Sequence, residues 1–304
     1  MNINKPFKTA FTLIELLVVI AIIGILSGLI IVGMSSATEK ATIAKAQSFS
    51  SSLRNSILMS LVSEWKLDGN ANDSWGTNAL TLQGSPTSSS DCIFGSCYVF
   101  DGLDDYAYKT DTIGSSLDIT EALTLEAWIK IISLQNNNYE YIIRKVDPLD
   151  SSQGTLYGLV MNWSDAKVKF FIWTEDYANC QVMADSATQL QLNKWYHVVA
   201  TYNSSDHRSR IYINGILDIE GLAKTGKIRT NNNNFYISHM LGGTLFFNGT
   251  IDEVRIYNAA IPLSSVKNIY FAGLTKLLAA GEITDKEYNQ RIVELERQIA
   301  QGVD

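Results

Sequence analysis

The sequence predicts a mainly β protein: an antiparallel two-sheet sandwich carried behind one long apolar helix and followed by a short helical segment. Three observations predict it. Residues 64–273 break into short runs rich in β-branched and aromatic residues, separated by Gly, Asn, Asp and Ser. Ahead of them, residues 16–34 carry no charge and only Ser27 as a hydrogen-bonding side chain. Behind them, "LTKLLAAGEITDKEYNQRIVELERQIAQ" returns to helical spacing.

The strands come first. "YVFDGLDDYAY", "LTLEAWIKI", "YIIRKV", "TLYGLVMNW", "KVKFFIW", "WYHVVATY", "RIYINGILDI", "NFYISH" and "GTIDEVRIYN" each read as strand. Asn214-Gly215 is a two-residue hairpin signal, because both central positions of such a turn need positive φ. Nine or more strands with no helices between them argue for two antiparallel sheets packed face to face. Residues 83–91, "QGSPTSSSD", read as a polar loop.

Bulk properties exclude several functions. The chain has 304 residues, a formal net charge of −7 and no Lys/Arg cluster, which argues against nucleic acid and anionic membrane as partners. Three histidines and three cysteines show no zinc spacing. Cys92 and Cys97 flank a Gly-containing turn, a span that a disulfide bridges in an oxidising compartment. That leaves Cys180 as a single buried thiol.

A helix over residues 11–34 is about 36 Å long, enough to cross a hydrocarbon core of about 30 Å. Lys5 and Lys8 precede it, so the N-terminus is expected in the cytoplasm and everything after Met34 outside. Glu15 sits near the start of this run, where a carboxylate costs roughly 2.5–3.5 kcal/mol. A plain anchor has no use for it, and neither has a secretory signal cut after Ser35-x-Ala37.

"KTAFTLIELLVVIAIIGIL" resembles the type IV prepilin signature. The resemblance implies a leader over residues 1–10, cleavage between Ala10 and Phe11 by a prepilin peptidase, and N-methylation of Phe11. Ala10 stands where that family usually has glycine. The resemblance also gives Glu15 a partner, the α-ammonium of Phe11 on a neighbouring subunit, because a buried carboxylate is tolerable when paired. Glu15→Ala is then expected to leave insertion intact and stop filament incorporation. Gly24 and Gly28 form G-x-x-x-G on one helix face and permit close helix packing. Ile43, Ala46, Phe49, Leu53, Ile57 and Leu61 continue an apolar stripe, which predicts a pilin helix over residues 11–63.

The blocks "WKLDGN", "DSWG", "YVFDGLDDY", "LTLEAWIK", "NKWYHVVATYN", "RIYINGI" and "FNGTIDEVRIYNAAI" resemble, in this order, the laminin-G-like, concanavalin A-like lectin/glucanase superfamily over residues 64–273. That implies a jelly-roll sandwich, a fold that hosts lectins, glycosidases and structural modules alike. No E-x-D-x-x-E string supplies a same-face carboxylate pair, so no enzyme is expected. Asp104-Asp105, Glu175-Asp176 and Asp252-Glu253 are adjacent pairs, which a strand points to opposite faces. His197 in "WYHVVA" reads as structural.

Related sandwiches hold a structural Ca²⁺ where the first and last strands meet. Asp68, Asn70 and Asp73 of "LDGNANDSWG", with Asp252, offer oxygen ligands for one, and the loop residues equally suit a solvated turn. Trp75, Trp163, Trp173 and Tyr177 are aromatics able to stack on a sugar or to fill the core.

In residues 274–304, Gly281 separates two helical pieces, Thr284 and Glu287 form a capping box, and Tyr288, Ile292, Leu295 and Ile299 form a stripe. "AGEITDKEYNQRIVEL" resembles the SHOCT helical-hairpin module. It serves self-association, a partner, or docking on its own sandwich. The functional expectation is a type IV pilin-like subunit, of a pilus or pseudopilus. It would be held in the cytoplasmic membrane before assembly, then display a binding or adhesion domain for an extracellular glycan or protein on a surface filament. The alternative is a membrane-anchored or secreted lectin-like carbohydrate-binding protein that does not polymerise.

Overall fold

The computed structural model describes residues 57–134, 139–147, 149, 154–221, 223–239 and 246–300. Ala10, Phe11, Glu15, Gly24 and Gly28 lie outside them. No helix among the described residues is long and apolar enough to cross a membrane.

Among the described residues, fifteen strands form two sheets. In chain order they are β1 (Leu61–Trp65), β2 (Thr81–Gln83), β3 (Thr87–Ser89), β4 (Cys97–Asp101), β5 (Tyr106–Lys109), β6 (Ala122–Ile131), β7 (Tyr139–Val146) and β8 (Thr155–Asn162). There follow β9 (Lys167–Ile172), β10 (Gln181–Gln189), β11 (Trp195–Asn203), β12 (Arg208–Ile213), β13 (Ile216–Glu220), β14 (Phe235–Ile237) and β15 (Asn248–Tyr257). The first sheet runs β13-β12-β11-β6-β15-β4-β3, with β1 also on β15, and the second runs β10-β9-β8-β7-β14-β5-β2. Every pairing is antiparallel. The main core draws on both sheets. Trp65 of β1 stacks on Phe235 of β14 with ring centroids 5.0 Å apart, tying one sheet to the other, and burying each such ring contributes about 1.5–3 kcal/mol.

Asn214 and Gly215 turn the β12–β13 hairpin with φ of 53° and 77°, as two-residue hairpins require. Cys92 and Cys97 form a disulfide with Cα atoms 5.7 Å apart, and Cys180 is buried outside that bridge.

Several boundaries differ from the sequence reading. Residues 61–63, read as the end of the long helix, are strand: Leu61–Trp65 pairs with β15, because pairing with an open stretch of that central strand outweighs the helical stripe. The polar stretch 83–91 is more than a loop, since Thr87–Ser89 pairs with β4. The "YVFDGLDDYAY" run divides into β4 and β5, which lie in different sheets. β10 is mostly polar, so no apolar pattern marks it as strand.

The C-terminal helices begin earlier than residue 274. Helix α1 spans Leu263–Ala280 and α2 spans Asp285–Ala300. Gly281, at φ 77°, ends α1 with its N–H on Leu278, and Thr284 Oγ1 caps Glu287 N at 3.2 Å. Both helices dock on their own sandwich. Tyr270, Leu274 and Leu277 of α1, Ile283 and Leu295 pack with Trp128 and Trp195 on the outer face of the first sheet. Val266 joins Val199, Tyr212 and Tyr257 beside them. A Cβ on Gly273 would collide with the Trp128 indole, so this helix can lie so close only with glycine there.

Candidate functional site

The outer face of the second sheet carries a group of aromatic rings. In β14, Phe235 and Ile237 enter the core, so Tyr236 between them points out. In β5, Ala107 enters the core and Tyr106 and Tyr108 point out. Register sets Tyr236 opposite both Tyr108 and Arg144 of β7. His239 lies 4.5 Å from the rings of both Tyr106 and Tyr236, and Phe246 lies 5.3 Å from His239 and 6.0 Å from Tyr106. Tyr108 completes the group, 6.0 Å from Tyr106 and 6.2 Å from Tyr236.

The three tyrosines and His239 are half-buried and Phe246 is buried. Burial and then Arg144 push the His239 imidazole down to about 4, so it is neutral at physiological pH. Burial raises the Tyr106 phenol. The Arg144 guanidinium itself is buried, 4.5 Å over Tyr141, with Nε on Thr155. The face is therefore uncharged rings edged with hydroxyls, able to stack against a flat, partly apolar, hydroxylated ligand.

The aromatics read from sequence are placed otherwise. Trp173 is buried, with Arg229 4.7 Å over its ring and Nε1 donating to Tyr177. Tyr177 is half-buried beside Lys224, Trp163 sits in the turn between β8 and β9, and Trp75 is 49% exposed after β1. They share no single platform with the Tyr106 group.

The outer face of the first sheet is quite different. Glu126, fully buried, accepts from Arg255 Nη1 at 2.8 Å and Tyr257 Oη at 2.8 Å, with His197 Nε2 at 3.3 Å. Arg255 also binds Glu64 at 2.7 Å and contacts Glu253. Burial alone would raise Glu126, but Arg255, His197 and Tyr257 hold it at about 2. His197 stacks near Trp128 and Tyr270, beneath α1.

The adjacent pair Asp252-Glu253 does not split between opposite faces. A β-bulge, with Glu253 at φ 49°, keeps both residues buried. Asp252 Oδ2 accepts from Ile93 N at 2.8 Å inside the disulfide loop, and burial with Glu253 pushes it up to about 8.

The expected Ca²⁺ ligands are not brought to one point. Asp73 accepts from the backbone N–H groups of Glu64, Trp75, Gly76 and Asn78, which outweigh burial and lower its carboxyl. Asp68 accepts from Ser96 N at 2.7 Å, and Asn70 shapes its own turn through Asn72 N. Among the described residues, Asp68, Asp73 and Asp252 form no common group at ligating distance. Asp101, Asp104 and Asp105 do lie together, but Asp101 and Asp105 take turn N–H groups of Leu103 and Ser85.

A sandwich of two antiparallel sheets with a built outer face defines a lectin-like class. The chain belongs to the concanavalin A-like lectin/glucanases superfamily, whose family model matches residues 101–267. A second model, the prokaryotic N-terminal methylation motif, matches residues 7–31. Comparison with curated proteins finds no match.

Among solved structures, domain 4 of a GH43 extracellular arabinanase from Geobacillus stearothermophilus, in complex with arabinotriose, is similar at 18% identity and a TM-score of 0.54. The match covers 69% of this chain and 98% of that one. Botulinum neurotoxin type C, which interacts with two ganglioside molecules, matches at 15% identity and 0.56, over 72% of this chain and 53% of its own. A Trypanosoma rangeli sialidase matches at 17% and 0.51, over 70% and 32%. The match thus spans about half of that toxin chain and a third of that sialidase chain. These likenesses are of fold.

Proposed function

We propose that this chain is a type IV pilin-like subunit, cut before Phe11 and assembled through Glu15, that displays a sandwich binding neutral glycan on the Tyr106–Tyr236 face. The observation that carries the reading is the union in one chain of a methylation motif over residues 7–31 and a lectin-like domain with an uncharged ring platform. Arabinotriose on the arabinanase domain and gangliosides for the toxin support a glycan as the ligand class.

The domain binds rather than cleaves in this reading, because Glu126 and Glu253, its best-placed buried carboxylates, are engaged by Arg255. The C-terminal helices, which resemble the SHOCT module, serve as a brace for the first sheet. Prepilin peptidase, the cytoplasmic membrane and neighbouring subunits are the partners that the motif brings.

Two measurements on protein from its native host test it. Mass spectrometry of the mature N-terminus should find N-methylated Phe11; an N-terminus at or near Thr38 would instead make it a secreted lectin-like domain. A panel of immobilised neutral oligosaccharides should retain the protein, and retention that survives Tyr236→Ala would place the site elsewhere.

A further inference from the structure

The interior of the sandwich holds a charged group that neither outer face uses. Lys145 of β7 lies opposite Phe235 on one side and Tyr157 on the other, so its side chain enters the core, and it is fully buried. Its Nζ contacts Asp111 Oδ2, whose side chain is 1% exposed, and lies 3.9 Å from Asp118 Oδ1. The Asn233 carbonyl accepts from the same Nζ at 3.2 Å. Asp118 is held in place by Gly114 N on its other oxygen, at 2.7 Å.

Two carboxylates therefore share one buried ammonium, Asp111 out of water and Asp118 with its side chain 9% exposed. Asp111 Oδ1 and Asp118 Oδ1 are buried without hydrogen-bond partners among the described residues. Tyr157 offers them nothing, since its hydroxyl donates to Leu117 O at 3.0 Å; burial, then Asp111 and Asp118, push that phenol well above its usual value. Such an arrangement is costly as an ion pair, because desolvation is recovered only with every lone pair satisfied. It is also a near-attack geometry, with amine and carboxyl carbon held together and water excluded.

We propose that Lys145 and Asp111 condense to an intramolecular isopeptide bond, with Asp118 relaying the protons. Asp118 takes a proton from the ammonium, and the freed Nζ lone pair attacks Asp111 Cγ. The new C–N bond forms as one Cγ–O bond breaks. Two of the three ammonium protons leave with that oxygen as water, Asp118 ends in the state in which it began, and no oxidant or co-reactant is consumed. The product replaces a buried cation and anion by a neutral amide. It staples the segment after β5 to β7, across the short strand β14 that lies between them.

The test is a tryptic map of the full chain, purified in detergent and denatured before digestion. An acylated Lys145 resists trypsin, so residues 110–130 should appear joined to residues 145–167, lighter than the two together by one water. Fragmentation should place the junction at Lys145 and Asp111. Asp118→Asn, which keeps both reacting groups, should give linear peptides. Linear 110–130 and 146–167 as the only products from the unaltered protein would overturn the bond, and a junction at Asp118 would overturn its assignment. A cross-link that persists in Asp118→Asn would overturn the relay.

Discussion

The two outer faces of this sandwich start from the same strand alternation and end in opposite states. On the first sheet, Glu126, Arg255, His197 and Tyr257 point out onto the face where α1 docks, His197 against Tyr270 and Tyr257 in one cluster with Val266, and the charges of Glu126 and Arg255 meet inside the protein. On the second, Tyr106, Tyr108 and Tyr236 point out and stay half-exposed. The contrast teaches that a polar residue on an outward strand position does not mark a site, and that what is packed over the face decides. The covered face carries charges paired inside the protein; the open one, around Tyr106 and Tyr236, presents aromatic rings.

Four changes break or sharpen that contrast. Arg255→Met should be the most damaging, since it strands Glu126, Glu64 and Glu253 in a buried cluster. The expected loss is about 3–5 kcal/mol in thermal or chemical unfolding. A loss under about 1 kcal/mol would mean that water already reaches the cluster. Gly273→Val comes next: driving a side chain into Trp128 should cost about 1–3 kcal/mol. It should also expose the 260–285 region to limited proteolysis before the strands are cut.

Tyr236→Ala belongs to the open face, so its stability cost should be below about 1 kcal/mol while glycan affinity falls about tenfold or more. Equal losses in both would make Tyr236 a packing residue. The smallest effect concerns His239, lowered from 6.5 to about 4 in the fold. Its neutral form is favoured in the folded state, so its contribution is present above about pH 6.5 and is lost as pH falls through about 4. Screening at a partly exposed ring limits it to the order of 1 kcal/mol. His239→Gln should flatten the stability profile across that interval, and an unchanged slope would assign the acid sensitivity to other groups.

Sequence alone made much of the fold legible where a strand is buried on alternate or both faces. β6, β8, β11 and the Asn214-Gly215 hairpin follow directly from apolar pattern and turn chemistry. β10 and β3 were hidden because they lie in or near sheet margins and carry Ser, Thr, Gln and Asp, a composition shared with loops. Leu61 fell on a helical stripe by spacing while its neighbours alternate buried and half-buried, as a strand does. The aromatic face was illegible for another reason: Tyr106 and Tyr236 meet only through the pairing of β5 with β14. The available signal was aromatic alternation, Y-A-Y and F-Y-I, in which an outward ring flanks a small or apolar core residue. Arg255 and Glu126 lie in strands whose pattern is plain in the sequence, yet their union depends on β15 lying beside β6.

That placement of β15 bears on how the chain is made. β15, the last strand in chain order among the described residues, is an inner strand of its sheet, flanked by β6 on one side and by β4 and β1 on the other, partners that emerge far earlier. Until residue 257 is free, those strands wait with unpaired edges, and no N-terminal fragment can close the first sheet. The domain must therefore be delivered whole before it can fold, which suits a polypeptide that crosses a barrier as an extended thread and acquires its shape only on the far side.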